Sequence, residues 1–172
     1  MIEDFRPRHL GCLIPDSCSF LEHFPRFVRA FGGEAFEHGS AHYIDRSAAA
    51  LWLPPGAQPN EEALVALIKD SVRSSDQDEV FAVLDQMGSW HPKEPHWYLP
   101  LIGTDPVQQS RGYGSALLSE ALANCDRQTT LAYLEATSPR NVTLYQRHGF
   151  EVLGTIQVGA SPPITPMLRK PH

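Results

Sequence analysis

The sequence predicts an α/β domain whose central sheet contains strands of both directions. Two short apolar stretches, Ala41–Asp45 and Ala48–Leu53, follow each other closely, which is typical of an antiparallel meander. Farther along, the strand-like segments Trp97–Thr104 and Leu131–Thr137 enclose a helical pattern at Arg111–Asn124. A strand, helix, strand order makes parallel pairs, so both directions are expected in one sheet.

Helical and strand patterns continue along the rest of the chain. Ser19–Phe31 places phenylalanines on one helical face and ends at Gly32 and Gly33, and Asn60 is a good N-cap for a helix that ends before Ser71. Proline at position 100 cannot donate to a ladder, so it predicts a bulge or an unpaired edge within its strand. The remaining predicted elements are a helix at Asp78–Met87, a helix at Asn141–His148, and strands at Phe150–Val158 and Ile164–Arg169.

Composition narrows the possible classes of protein. The 172 residues suit one domain covering residues 1–172, and a net charge of -6 gives no basic face for nucleic acid. Apolar runs are too short to span a membrane, and the first residues lack the apolar core of a secretory signal, so we expect a cytoplasmic protein. Three cysteines without regular spacing argue against a disulfide framework. A zinc site formed by His9, Cys12, Cys18 and His23 is conceivable, but its spacing is unfavourable, and no metal is predicted.

The loop before the fourth predicted helix, Arg111–Asn124, has the features of an anion site. A strand ends at Asp105 and Pro106, and the helix begins after a short loop containing Gly112 and Gly114. Unpaired backbone N–H groups and the helix dipole favour a phosphate at such a helix start. The glycines allow close approach of a ligand, and Arg111 can add a charged contact. A solvated arginine at a helix start is the alternative for Arg111.

Three phosphate-binding motifs compete for this loop. A P-loop requires a Gly-Lys-Ser/Thr tripeptide, which is absent from the sequence. A dinucleotide fingerprint requires a third glycine where Leu117 stands. The third candidate is the Q-x-x-G-x-G pattern of Gln109–Gly114, a pattern typical of loops that bind the pyrophosphate of coenzyme A.

In this loop and in a later segment, the chain resembles the GNAT superfamily of N-acetyltransferases. The Gln109–Gly114 segment looks like the pyrophosphate loop of that family, and Asn141, Tyr145, Gly149 and Phe150 resemble its N-x-x-x-Y-x-x-x-G-F segment. The sequences HWYLPLIGTDP and LEATSPRN resemble the branch that includes puromycin N-acetyltransferase. The resemblance implies a mixed, mostly antiparallel sheet flanked by helices, and transfer of an acetyl group from acetyl-coenzyme A to an amine.

The resemblance also implies roles for individual residues. Tyr145 would protonate the departing thiolate as general acid, and Asn141 would bond the pantetheine arm or fix the turn. Backbone N–H groups around Leu101 and Ile102 would hold the thioester oxygen. The expected coenzyme A contacts are Ile102, Gly103, Thr104, Gln109, Ser110, Arg111, Gly112, Tyr113, Gly114, Ser115 and Asn141.

Several side chains are candidates for the base that removes the proton of the amine. The strand before the loop carries no carboxylate between His96 and Thr104, which leaves Glu135, His91 and His96. Glu135 is the first candidate, although a carboxylate with a structural role at a strand edge is an alternative. Tyr145 has a similar alternative as a core tyrosine.

The N-terminal part is shorter than the family pattern. Only about eighteen residues precede the first predicted helix, so we expect the first strand and helix of the family to be missing or reduced. His9–Ile14 could supply one strand, or a homodimer partner could complete the site. The acceptor is expected to be a small-molecule amine of unknown identity. A coenzyme A-binding sensor or partner-binding domain, and a nucleotide binder using the same loop, are the alternative functions.

Overall fold

The structure is a computed structural model that describes residues 17–172, with side chains from residue 22 onward. It contains a six-stranded sheet in the order β1-β2-β3-β4-β6-β5. Only β3 and β4 pair in parallel, and the four other pairs are antiparallel. This confirms the mixed, mostly antiparallel sheet. The strands are β1 Ala41–Ile44, β2 Ala48–Leu53, β3 His96–Thr104, β4 Leu131–Ala136, β5 Glu151–Val152 and β6 Thr165–Arg169.

Helices cover both faces of the sheet. They are α1 Ser17–Gly32, α2 Glu34–Glu37, α3 Glu61–Ser71, α4 Gln77–Trp90, α5 Tyr113–Arg127 and α6 Pro139–Gln146, with a 3-10 turn at Pro106–Gln108. The helix cap predicted at Asn60 is confirmed, since its side chain accepts a hydrogen bond from the N–H of Ala63 at 2.9 Å. Pro25 lies inside α1, so the helix continues through it.

The two faces of the sheet have separate cores. Helices α5 and α6 cover one face, where Leu118 and Tyr145 pack with Leu134 of β4. Helices α1 and α3 cover the other, where Phe31 and Leu64 pack with Tyr133 of β4. Because side chains alternate along a strand, neighbouring residues of β4 face different sides. We call the first the α5 face and the second the α1 face.

The sheet opens between β3 and β4. Their pairing runs from His96 with Leu131 to Leu99 with Leu134 and then stops. Beyond that point β3 continues beside β2 alone, while β4 continues beside β6. The register between β2 and β3 shifts at the same place, so that Leu99 and Pro100 together oppose Trp52. The interruption predicted at Pro100 is therefore confirmed as a bulge.

Two predicted elements have different boundaries in the structure. The helix predicted from Arg111 begins at Tyr113, because Ser110 and Gly112 have φ angles of +63° and +85° that no helix contains. The strand predicted at Phe150–Val158 shrinks to Glu151–Val152, with a single further bridge between Ile156 and Ile164. The gap contains Gly154, where a Cβ atom would lie 2.6 Å from the ring of Trp90.

Other boundaries shift less. Helix α4, predicted to end at Met87, continues through Gly88 to Trp90, and the four-residue helix α2 is not evident from the sequence pattern. The predicted strand at His9–Ile14 and the conceivable zinc site lie outside the described residues, apart from the His23 side chain. In the part of the chain that is described, Cys125 is buried and unpaired, and no helix is long and apolar enough to cross a membrane.

Candidate active site

The opening between β3 and β4 exposes backbone groups of Ile102. The N–H of Asp105 donates to the carbonyl of Ser47 on the β2 side at 2.8 Å. Hydrogen-bonded and non-hydrogen-bonded pairs alternate along an antiparallel ladder, so the register of Ile102 with Ala50 makes theirs a non-hydrogen-bonded pair. The N–H and C=O of Ile102 consequently face away from β2 and toward the opening. Gly103 and Thr104 follow on the same strand.

The backbone of Glu135 faces the same opening from the opposite side. Glu135 pairs with Pro166 of β6, and the carbonyl of Pro166 accepts a hydrogen bond from the N–H of Leu153 at 2.9 Å, on the β5 side. Because hydrogen-bonded and non-hydrogen-bonded pairs alternate along an antiparallel ladder, the N–H and C=O of Glu135 point toward β3. The N–H of Glu135 completes the last parallel bridge, between Leu99 and Leu134. The opening is thus bordered by the N–H and C=O of Ile102 on one side and by the carbonyl of Glu135 on the other, and these groups can pair with an extended amide chain.

The predicted anion loop lies at the wide end of this opening. The N-cap of α5 is Gly112, whose left-handed backbone makes no side-chain cap, and Ser110 is left-handed as well. Because the first N–H groups of a helix have no partner within it, those of Tyr113, Gly114 and Ser115 are available to an anion, and that of Ala116 already donates to the carbonyl of Gly112 at 2.9 Å. Gly114 differs from Gly112 because its φ is not in the left-handed region, and a Cβ there would meet only Leu144 at an ordinary 3.6 Å.

Arg140 is a member of this loop cluster that sequence analysis did not identify. Its guanidinium donates to Oε1 of Gln109 at 3.3 Å and to the hydroxyl of Ser110 at 3.0 Å. It therefore joins the start of α6 to the loop before α5, and places a second positive charge near that of Arg111. The next residue, Asn141, is buried, and its N–H bonds to the N-cap Ser138 at 3.4 Å.

Ser115 has a partner on the neighbouring helix end. Its hydroxyl lies 2.7 Å from Nε2 of His148. Burial, together with the positive charges of Arg147 and Arg169, lowers the pKa of His148 from its usual value. A neutral imidazole accepts the hydroxyl proton of Ser115 or donates to the hydroxyl oxygen, according to which ring nitrogen carries the proton.

Tyr145 lies on the α5 face. Its side chain is 3% exposed and its ring contacts Phe150 edge to face, with ring centres 5.9 Å apart. Burial raises the pKa of this phenol well above its usual value, so the hydroxyl keeps its proton at any ordinary pH. Tyr145 thus satisfies both interpretations, as a core tyrosine and as a proton donor.

Glu135 lies on the α1 face, opposite Tyr145. Its side chain is 4% exposed, and within residues 22–172 its Oε1 atom and the hydroxyl of Tyr133 are buried without a hydrogen-bond partner. Burial, and then the negative charge of Glu135, raise the pKa of both Tyr98 and Tyr133. A buried carboxylate oxygen without a partner is costly, which indicates a place for a ligand or water.

His91 and His96 complete this cluster. Nε2 of His91 is 3.4 Å from Oε1 of Glu135, and its Nδ1 is 3.2 Å from Nε2 of His96. The His91 ring lies 4.5 Å from the rings of Tyr98 and Tyr133, measured between ring centres. All three base candidates are therefore in one place. In the described part of the chain, no group of three or more His, Cys, Asp or Glu side chains is arranged so that it could hold a metal ion.

A large cavity opens beside this cluster. It has a volume of about 1030 Å³ and lies among α3, α4 and the connector to β3. His91, His96 and Tyr98 form part of its wall. The carboxylates of Glu61, Asp85 and Glu94 and the ammonium of Lys93 also line it.

Residues 72–152 match the family model of the acetyltransferase (GNAT) domain. Over these residues, which are somewhat less than half of the chain, the sequence is similar to the GNAT superfamily. The matched region contains both the α5 loop and Tyr145, and GNAT acetyltransferases use acetyl-coenzyme A as cosubstrate. The narrower resemblance to the puromycin N-acetyltransferase branch stays a prediction.

Known proteins of similar sequence or structure are acetyltransferases. Mycothiol acetyltransferases from Mycobacterium sp. (strains JLS and MCS) are 37% identical over 59 residues, which are 30% of this chain and 20% of theirs. The match therefore spans about a fifth of their length. The solved histone acetyltransferase HPA2 and related acetyltransferase from Corynebacterium glutamicum is 25% identical, with a TM-score of 0.52 over 93% of this chain and 95% of that one. Drosophila melanogaster polyamine N acetyltransferase shares the fold, with a TM-score of 0.56 at 14% identity over 92% and 98% of the two chains.

Proposed function

We propose that this GNAT domain, as a single unit covering residues 1–172, transfers an acetyl group from acetyl-coenzyme A to the amine of a small molecule. The observation that carries the proposal is the opening between β3 and β4, with Tyr145 on one face of the sheet and the buried carboxylate of Glu135 on the other. Attack on a thioester needs this separation, because the amine approaches on one side of the carbonyl and the thiolate leaves on another.

The cofactor is proposed to extend along the opening. Its pyrophosphate would bind the N–H groups at the start of α5, assisted by Arg111 and Arg140. Its pantetheine arm would pair with the backbone of Ile102 on one side and Glu135 on the other, like an added strand, with Asn141 nearby. The N–H of Ile102 would then support the thioester oxygen as negative charge develops on it.

The proposed reaction is direct transfer. The amine nitrogen forms a bond to the acetyl carbon, the carbon–sulfur bond breaks, and the thiolate receives the hydroxyl proton of Tyr145. The proton lost by the amine passes to the Glu135 cluster. A general acid and a general base each contribute roughly 10²–10⁴-fold to such reactions.

The acceptor is proposed to enter from the cavity on the α1 face. Three carboxylates against one ammonium line that cavity, so a cationic amine is attracted to it. Phe81, Leu84 and Met87 supply apolar surface there, which suits an amine with a hydrocarbon or aromatic body. Polyamine acetylation by a protein of the same fold is in keeping with this class of acceptor.

Two measurements test the proposal in sequence. The first is the melting temperature with acetyl-coenzyme A, ATP or NAD, because a ligand at about 100 times its dissociation constant stabilises by roughly 2.7 kcal/mol. Only acetyl-coenzyme A should raise the melting temperature. The second is release of the coenzyme A thiol in the presence of a panel of small amines, which should depend on the amine added.

Each outcome has a distinct meaning. Binding of acetyl-coenzyme A without amine-dependent thiol release from any member of the panel would favour the sensor or partner-binding alternative. Binding of ATP or NAD that coenzyme A does not displace would favour the nucleotide-binding alternative. Light scattering addresses the predicted homodimer separately.

A further inference from the structure

Hydrogen bonds around His96 determine which nitrogen of His91 carries a proton. Nδ1 of His96 lies 2.8 Å from the backbone carbonyl of Glu94, and a carbonyl only accepts hydrogen bonds. Nδ1 of His96 is therefore protonated, which leaves Nε2 of a neutral His96 as an acceptor. Nδ1 of His91, at 3.2 Å, must then be the donor to it.

A consequence follows for the contact between His91 and Glu135. With its proton on Nδ1, a neutral His91 presents the lone pair of Nε2 to Oε1 of Glu135, 3.4 Å away. Two lone pairs repel each other unless a proton lies between them. Nε2 of His91 and Oε1 of Glu135 are therefore positioned to share one proton.

The opposite arrangement requires a charged His96. If His91 carried its proton on Nε2 and accepted at Nδ1, His96 would have to donate from both nitrogens. The pKa of His96 is lowered, mainly by burial and further by positive charge on His91. The Glu94 carbonyl and the charge of Glu135 raise it, but these effects are outweighed. A neutral His96 is therefore favoured at neutral pH.

The position of His91 also suits a positive charge. It is the C-cap residue of α4, where the helix dipole is negative and favours cations. The groups that face its ring are Glu135 and Tyr133 of β4 and Tyr98 and His96 of β3. Glu135 is the single carboxylate among them, and both phenols keep their protons.

We infer that Glu135 and His91 act together as a two-residue base, in which His91 stores the proton that Glu135 removes from the acceptor amine. The proton moves from the amine nitrogen to Oε1 of Glu135 and on to Nε2 of His91, giving an imidazolium beside a carboxylate. His91 is 27% exposed and lines the cavity, so it releases the proton to water after each turnover. His96 is a positioning residue that fixes the tautomer of His91. The inference rests on the proposed acetyl transfer and extends it.

Nuclear magnetic resonance of ¹⁵N-labelled histidines tests the tautomer independently of catalysis. We expect a neutral His91 to carry its single proton on Nδ1 in the wild-type protein and in Glu135→Gln, which leaves Nε2 free to accept a proton. A neutral His91 protonated on Nε2 alone would overturn the inference, whatever the activity. If the spectrum is as expected but no acetyl transfer is detected, the inferred proton site still stands and the proposed function is rejected.

Kinetics test the role of the pair. We expect His91→Gln to lower kcat about 100-fold while leaving the dissociation constant of acetyl-coenzyme A unchanged, and His96→Gln to lower kcat less. Combined with Glu135→Gln, the His91 substitution should cost little more than either change alone, because the two residues act as a unit. His38→Gln, at a half-exposed histidine paired with Glu34, is the control.

Chemical rescue distinguishes proton transfer from a structural role. Added imidazole should restore a measurable part of the activity of His91→Ala, because the vacated position is reachable from the cavity. Wild-type kcat in His91→Gln, or additive losses in the double variant with no rescue by imidazole, would contradict the inference while leaving the acetyltransferase proposal intact.

Discussion

The guanidinium of Arg169 and the carboxylate of Asp126 form a two-pronged ion pair, with N···O distances of 2.7 and 2.9 Å. Arg169 is 5% exposed and also donates to the backbone carbonyl of His148 at 3.0 Å. One side chain of β6 therefore joins the end of α5 to the end of α6. These are the two helices that carry the anion loop and Tyr145.

Asp126→Asn should lower the free energy of unfolding by roughly 1.5–3 kcal/mol, the usual contribution of a hydrogen bond to a charged group. The buried guanidinium would remain without its counter-charge. Thermal or urea unfolding measures the change, and Glu151→Gln, at an exposed carboxylate of β5, is the control. An equal effect of both substitutions would mean that the pair contributes nothing specific.

The same pair predicts how stability depends on pH. Hydrogen bonds from Arg169 are the main cause that lowers the pKa of Asp126 to about 2, below its value of roughly 3.9 in the unfolded chain. The stabilisation is therefore complete above about pH 4 and lost as the pH falls toward 2. Urea unfolding across this range should show a smaller loss in Asp126→Asn than in the wild-type protein.

Gly112→Ala should weaken acetyl-coenzyme A binding and destabilise the loop. Its φ angle of +85° costs a residue with a Cβ atom roughly 1–2 kcal/mol, and relaxing it would redirect the N–H groups of the anion site. Gly39→Ala is the matched control, since Gly39 also has a positive φ of +63° and open space around a Cβ atom but lies between α2 and β1. Calorimetric titration with acetyl-coenzyme A should separate the two variants, and equal affinities would contradict the prediction.

Arg140→Gln should raise the dissociation constant of acetyl-coenzyme A about fivefold, equivalent to roughly 1 kcal/mol. The substitution removes a positive charge and the hydrogen bonds to Gln109 and Ser110. Because exposed charges are screened by salt, the difference from the wild-type protein should shrink at high ionic strength. Arg127→Gln, at the other end of α5, should leave the affinity unchanged.

Tyr145→Phe should lower kcat about 100-fold while acetyl-coenzyme A still binds and raises the melting temperature. Because burial raises the pKa of this phenol, Tyr145 should stay protonated through the alkaline range. Any fall in rate between pH 8 and 10 must then come from another group. Tyr43→Phe, on a tyrosine that is 76% exposed, controls for loss of a hydroxyl, and unchanged kcat in Tyr145→Phe would remove the proposed general acid.

Local chemistry explains why the sequence predicted some elements well. The cap at Asn60, the bulge at Pro100 and the glycine loop before α5 depend on a few neighbouring residues, and the structure contains all three. The strand predicted at Phe150–Val158 was too long, because the packing of Trp90 against Gly154 depends on residues far apart in sequence.

The candidate site was only partly accessible to sequence analysis. Gln109, Tyr145 and Asn141 could be selected because they belong to ordered motifs. Arg140 was missed, although it stands directly before Asn141, since its contact with the loop spans 31 positions. Nothing in the sequence marked Tyr98 and Tyr133 as site residues, because apolar strands commonly contain tyrosine.

The sequence by itself determined the GNAT pattern, the mixed sheet and the anion loop, because caps, glycines and apolar periodicity act over a few residues. Only the tertiary structure decided that Glu135 meets His91, 44 positions earlier, and that it lies across the sheet from Tyr145. The sheet register sets these relationships, since a shift of one residue would turn Glu135 to the other face. Burial then leaves its carboxylate oxygen without a partner, and this makes the position chemically significant.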